Sequence, residues 1–306
     1  MRLQDIFNHQ EMTNKQAVSL IALALAAAVS APRPAHSQST PPTGPQVRVV
    51  DSTKLQVITL RDGSSIIGRV VSVRGDTADF QGSIGRVAIP IPQIREIKEV
   101  EADRVHDGEY WFPNPNVTRL FFAPTGQMLK KGEGYFADYE LFFPGFAYGV
   151  TDNFSVGGGV SIFPTGVDEQ VYYFTPKIGM SFSDQIHVAA GLLLAGIQGE
   201  TGGVLYGAGT FGGGDGSFTL GLGWGFGGGD IASKPALMVG GEKRVSRRIA
   251  LVTENYLLPT DDAEIVYSFG IRFMGEKLTT DLGLFRVTGE GDDFLGLPFV
   301  DFVFKF

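Results

Sequence analysis

The sequence predicts an all-β chain: a transmembrane antiparallel β-barrel of about 12 strands, preceded by a small β module. Three observations carry this. Charged residues are only 19% of the 306, and Gly reaches 42 and Phe 24, against usual shares of about 25% charged and about 7% Gly. From Thr118 onward, segments of about ten residues alternate large apolar groups with small or polar ones, as membrane barrel strands do. The turns between these segments alternate short and long. Cysteine is absent, which excludes a disulfide framework and a thiolate metal site. A formal net charge of -8 argues against a nucleic-acid binder.

Residues 1–37 read as an export signal. Lys15 precedes the apolar run Ala17–Val29, which is shorter than the roughly 20 residues that span a bilayer as a helix. Two cleavage sites compete: Val29-Ser30-Ala31, with Pro32 unfavourably after the cut, and Ala35-His36-Ser37. Met12 is an alternative start. Residues 38–53, rich in Ser, Thr, Pro and Gly at their start, form a linker.

Residues 54–100 read as the small module. Strands are expected at Leu55–Leu60, Ser64–Val73, Thr77–Gln81, Arg86–Pro90 and Gln93–Val100, with turns at Arg61-Asp62-Gly63 and Arg74-Gly75-Asp76. Five short strands suit a small SH3-like barrel. The run Leu60, Asp62-Gly63, Gly68 and Val70, with Ile89-Pro90 and Ile94, resembles the Sm-like version of that barrel. That family binds RNA through a polar loop containing Asn and a later Arg-Gly loop. Here Asp76-Thr77-Ala78-Asp79-Phe80 holds no Asn, and Arg86 is followed by Val87. The expectation is therefore a periplasmic protein-contact or spacer module that binds no nucleic acid. Residues 101–117 are a second linker, stiffened by Pro113 and Pro115.

Residues 118–306 divide into strands at 118–124, 134–150, 154–163, 171–182, 186–196, 203–212, 217–227, 235–244, 249–258, 265–274, 278–287 and 297–306. The clearest places Phe218, Leu220, Leu222, Trp224 and Phe226 on one face and Thr219, Gly221, Gly223, Gly225 and Gly227 on the other. Large groups facing lipid and small ones facing a bore explain that pattern; a soluble sheet does not. The first strand is the weakest by pattern and is required for an even number, which puts both barrel ends on the periplasmic side. The long second strand is expected to bend at Pro144-Gly145. Short turns at 151–153, 183–185, 214–216, 246–248 and 275–277 read as periplasmic, and longer loops at 164–170, 197–202, 228–234, 259–264 and 288–296 as external.

Phe302, Phe304 and the terminal Phe306 alternate with Val303 and Lys305 in the last strand. This resembles the C-terminal signature of bacterial outer-membrane β-barrel proteins, which implies recognition by the barrel-assembly machinery and residence in outer-membrane lipid. The Trp111–Pro124 stretch loosely resembles the openings of uncharacterised exported barrels, with no activity attached.

If the large apolar rows face lipid, Asp138, Glu140, Lys177, Glu242, Arg244, Glu254, Arg272, Asp281, Asp301 and Lys305 line the lumen. They read either as a mildly cation-preferring channel lining or as cross-strand ion pairs filling the bore, with Glu254 and Arg272 a candidate pair. Catalysis reads poorly. His187 is the one barrel histidine, beside the Asp184 turn, and no serine stands out as its partner. The Gly runs at 157–159 and 212–214 lack the strand-to-helix setting of a phosphate loop. The acidic loop 289–293 reads as a solvated surface rather than a divalent-cation site. No cofactor or metal is expected. Two functions remain: a narrow passive channel for small solutes, or a non-catalytic anchor presenting its periplasmic module to a protein partner.

Overall fold

The computed structural model describes residues 47–51, 54–83, 85–164, 166, 169–259, 264–288 and 296–306. The expected export signal lies outside the described residues, as does the acidic loop 289–293. The described part falls into two compact units that meet in sequence at Glu99 and Val100.

The first unit is a five-stranded antiparallel sheet: β1 (Lys54–Leu60), β2 (Ser65–Arg74), β3 (Thr77–Gly82), β4 (Gly85–Pro90) and β5 (Ile94–Glu101), ordered β4-β3-β2-β1-β5. Alternation along these strands sends Ile58, Val70, Ala78, Phe80, Ile89 and Ile94 into one core. Gln56 is fully buried there without being left unsatisfied: its amide donates to the Arg48 carbonyl at 3.1 Å and its carbonyl accepts the Val70 N–H at 2.9 Å. Gly68 is required by close approach, since a Cβ at that position would sit 2.2 Å from the Gln81 carbonyl oxygen.

The second unit opens with a small hairpin, β6 (Val105–His106) and β7 (Glu109–Tyr110). The wall follows: β8 (Gly134–Tyr139), β9 (Phe143–Thr151), β10 (Phe154–Val160), β11 (Tyr172–Phe174), β12 (Lys177–Ser183), β13 (Ile186–Ile197), β14 (Glu200–Gly213) and β15 (Gly216–Gly227). It continues through β16 (Asp230–Ile231), β17 (Ala236–Ser246), β18 (Ile249–Leu257), β19 (Ile265–Met274), β20 (Leu278–Val287) and β21 (Leu297–Lys305). Each strand pairs antiparallel with the next, β16 being a short return on β15, and β21 pairs with β8 to close the ring. β11 and β12 are one wall strand broken at Pro176, which has no N–H to give the ladder. The result is a closed antiparallel barrel of twelve strands. The outer rows carry exposed Phe, Leu, Ile and Tyr, such as Phe211, Phe218, Leu220, Phe269 and Phe304, the surface a hydrocarbon solvent requires.

The count of twelve is met with different strands from those expected. Residues 118–124 are not in the wall. The segment 134–150 supplies two strands in place of one, because the chain reverses at Glu140-Leu141-Phe142. Glu140 and Leu141 both take positive φ, 55° and 63°. Left-handed residues usually announce themselves as Gly or Asn, so this turn carries no sequence signature, while the conspicuous Pro144-Gly145 lies within β9 without ending it. The expected long loop 197–202 is likewise a tight turn at Gln198-Gly199, and β13 and β14 pair up to it.

Candidate functional site inside the bore

The segment displaced from the wall threads the bore. It enters beside the short turns, rises as a hairpin in which the Leu120 N–H donates to the Ala123 carbonyl at 2.9 Å and the Thr125 N–H to Thr118 at 3.0 Å, and descends into β8. The stiff run Phe112-Pro113-Asn114-Pro115 suits such a strut, since its prolines hold an extended path without strand partners.

Charged wall residues grip this strut. Arg272, wholly buried, donates to the carbonyls of Asn116 and Leu120 at 2.7 Å each while pairing with Asp281 and Glu242. Glu254 Oε2 accepts three successive N–H groups at the hairpin tip, Phe121 at 2.8 Å and Phe122 and Ala123 at 3.0 Å each; Tyr256 donates to Oε1 at 2.6 Å. Asn114 donates to Glu242, and Arg119 of the strut pairs with Asp301 at 2.7 Å. Arg244 donates to the Phe112 carbonyl at 2.7 Å, pairs with Asp215 at 3.0 Å and lies over the Trp111 and Phe112 rings. Lys177 Nζ donates to the carbonyls of Thr118 at 3.1 Å and Gln127 at 2.7 Å. Opposite charges bonded to backbone polar groups satisfy one another in a space with little water. Phe121 fills the remaining apolar corner, edge-on to Phe285 and Phe299 and seated over Gly270 and Gly283.

Above the hairpin tip, toward the long-loop end, the bore opens into a cavity of about 370 Å³. Its wall comes from Tyr135, Tyr139, Tyr206, Leu193, Val204 and Leu258 among others, with Phe122, Arg119 and Lys177 at its floor and flank. The glycines opposite make room for rings: a Cβ on Gly191 would lie 2.4 Å from the Tyr206 hydroxyl.

Lys177, Glu242, Arg244, Glu254, Arg272, Asp281, Asp301 and Lys305 therefore stand on the inner row. The first seven hold the strut, directly or through one another; Lys305 pairs with Glu133 near the short-turn end at 3.1 Å. Glu254 and Arg272 do not pair, being out of register on β18 and β19, where Arg272 faces Ala250. Two assignments are corrected. Asp138 is the cross-strand neighbour of Phe302 and shares the outer row with Phe136, and Glu140 sits in the β8–β9 turn. In β8 aromatic groups stand on both rows, Tyr135 and Tyr139 facing the cavity and Phe136 outward, so side-chain size does not mark the lipid face where the bore itself is apolar. Phe302, Phe304 and Phe306 are on the outer face, and Phe306 packs 5.1 Å from Phe136 across the closing seam.

Sequence reasoning missed Asn114 and Asn116, which lie in the expected linker 101–117, and Arg119, which lies in the expected strand 118–124; their only signal was polarity. It also missed the partner of His187: Ser181, its cross-strand neighbour, lies 2.7 Å from Nδ1. No acid orients this pair among the described residues, and no cluster of three or more His, Asp or Glu there is arranged to hold a metal.

No protein family matches the chain, and no curated protein matches it. Among solved structures, the KdgM porin aligns at TM-score 0.41 and 8% identity over 56% of this chain and 95% of its own. The NanC porin aligns at 0.38 and 10% over 56% and 97%, and OprD of Pseudomonas aeruginosa at 0.32 and 10% over 85% and 98%. Likeness at this level concerns the fold alone; the strand register itself gives twelve closed strands, apolar outside and charged inside, the pattern of a barrel built to span a bilayer.

Proposed function

We propose that the chain is an outer-membrane pore for small solutes whose bore is held shut by its own 112–130 segment. The observation that carries this is the docking of that segment on buried wall charges, above all Arg272 and Glu254. A purely structural barrel can be filled by wall side chains alone; here a separate segment of chain fills the bore, and displacing it would open a path. In this reading the five-stranded unit is an Sm-like module on the periplasmic side, contacting a periplasmic protein and no nucleic acid. Outer-membrane lipid surrounds the barrel, and Phe302, Phe304 and Phe306 present the last strand to the assembly machinery. No catalytic step is assigned.

Planar-bilayer recording tests the pore. The full chain is expected to be closed most of the time, and a variant with residues 117–125 replaced by Gly and Ser should show stable conductance steps. An assembled replacement variant that stays silent would refute the reading.

A further inference from the structure

We propose that the cavity above the hairpin tip binds a single-chain amphipathic anion, with its head group at Lys177 and its acyl chain along the apolar wall. This deepens the pore reading by naming a ligand class.

Lys177 is the exception among the buried cations of the bore. Arg119 has Asp301, Arg244 has Asp215, and Arg272 has both Asp281 and Glu242. Lys177 is only 8% exposed, and its ammonium donates to two neutral carbonyls, those of Thr118 and Gln127. No carboxylate lies within ion-pair distance of it among the described residues. Two carbonyls need only a neutral donor. A full positive charge in that place carries a desolvation cost that a facing negative charge would offset. An ammonium also has three N–H groups, and the two carbonyls take two of them.

The cavity that Lys177 lines is otherwise suited to hydrocarbon. Phe122 and Leu193 are on the bore side and yet 50% and 39% exposed, so their apolar surface is open to an occupant. The volume of about 370 Å³ falls in the range of small-ligand sites. Tyr206 leans over Gly191, the cross-strand partner of Lys177, placing an aromatic side chain with a hydroxyl next to the charge. Most of the surface facing the cavity is apolar, with the hydroxyls of Tyr135, Tyr139, Tyr206 and Ser155 set among it. Of the two cations that line this mostly apolar chamber, Arg119 is taken by Asp301 and Lys177 faces no carboxylate, an arrangement that fits a carboxylate with a flexible tail.

Equilibrium binding of radiolabelled dodecanoate to the full chain in lipid nanodiscs tests this, with dodecanol as the uncharged probe. Saturable binding at one site is expected, with dodecanol at least tenfold weaker. Lys177→Gln keeps donors for the two carbonyls and removes the charge; it should weaken dodecanoate at least tenfold and leave dodecanol unchanged, and Lys177→Arg should restore most of the loss. Dodecanoate that only partitions without saturating, or that binds no better than dodecanol, overturns the proposal even if the variants fail to assemble. Equal dodecanoate affinity in assembled Lys177→Gln overturns it as well. Because nothing here depends on ion flow, a negative result leaves the conductance experiment to decide the pore reading separately.

Discussion

Arg272 and Asp281 meet inside the bore through two parallel bonds, Nε to Oδ1 at 2.8 Å and Nη2 to Oδ2 at 2.7 Å, with both side chains wholly buried. They are direct cross-strand neighbours on β19 and β20, so the wall register itself aligns the fork with the carboxylate. Arg272→Met leaves Asp281 and Glu242 as buried, unpaired charges, a loss of about 3–5 kcal/mol. Arg272→Lys keeps the charge and loses the fork, so its loss should be smaller. Denaturant midpoints of the assembled barrel check the order wild type, Lys, Met; equal midpoints would show that the pair does not hold the fold.

The wall was legible in the sequence because period-two alternation depends on which solvent each face meets, and lipid outside is a strong signal. Strands from 154 to the end keep nearly the bounds expected. The strut was not legible, since its hydrogen bonds go to residues between 50 and more than a hundred positions away, such as Gln127 to Lys177 and Phe121 to Glu254. A polar row reads the same whether it faces water, an ion partner or another segment of chain. For the same reason the inward charges are legible in the sequence and what they hold is not. Tyr135 and Tyr139 deceived the reading in the opposite sense, as an aromatic row that faces inward.

Glu254 should act as the latch of the hairpin tip. Glu254→Ala removes the acceptor of three backbone N–H groups, and unsatisfied buried donors cost about 1–3 kcal/mol. Leu120 is 1% exposed beside them, and the chain has no native cysteine. Leu120→Cys should react with a membrane-impermeant thiol reagent at least about fivefold faster when combined with Glu254→Ala, the change that about 1 kcal/mol produces. Unchanged labelling would mean that Arg272, the Arg119–Asp301 pair and Phe121 packing hold the tip without Glu254.

The five-stranded unit should lose stability on acidification through Asp79. The Ser72 hydroxyl at 2.6 Å and the Arg74 guanidinium at 2.5 Å hold its carboxyl below the ordinary Asp range. A depressed folded value adds stability above the unfolded value and loses it as pH falls through the folded one. Thermal unfolding of this unit in the full chain should therefore show a fall below the ordinary carboxylate range, and Asp79→Asn should flatten it. An unaltered pH profile in Asp79→Asn would assign the slope to other groups.

Phe306 should matter to closure of the barrel. Its backbone exchanges hydrogen bonds with Gly134 at 2.9 and 3.3 Å, and its ring covers Gly134 and meets Phe136 at 5.1 Å. Phe306→Ser removes the ring from the seam where the last strand joins the first. The heat-modifiable, assembled fraction on gels should drop while the amount exported stays constant. Normal assembly would show that backbone pairing alone closes the ring.

The two halves of the bore should respond in opposite ways to added bulk. Gly223 faces the cavity half, where a Cβ would meet only Val204 Cγ1 at 2.9 Å, the end of a side chain that can turn. Gly240 faces the strut half, where a Cβ would lie 2.4 Å from Leu120 Cδ1 and 2.6 Å from the Thr253 carbonyl. Gly223→Trp should therefore assemble normally and occupy the cavity, while Gly240→Trp overpacks a filled bore at about 1–3 kcal/mol and lowers the assembled yield. Facing can be checked directly. Leu222 is 43% exposed on the outer row, so Leu222→Cys should be shielded by lipid from a membrane-impermeant thiol reagent, and Gly223→Cys should react. The reverse labelling would turn the inner row outward and remove the cavity with it.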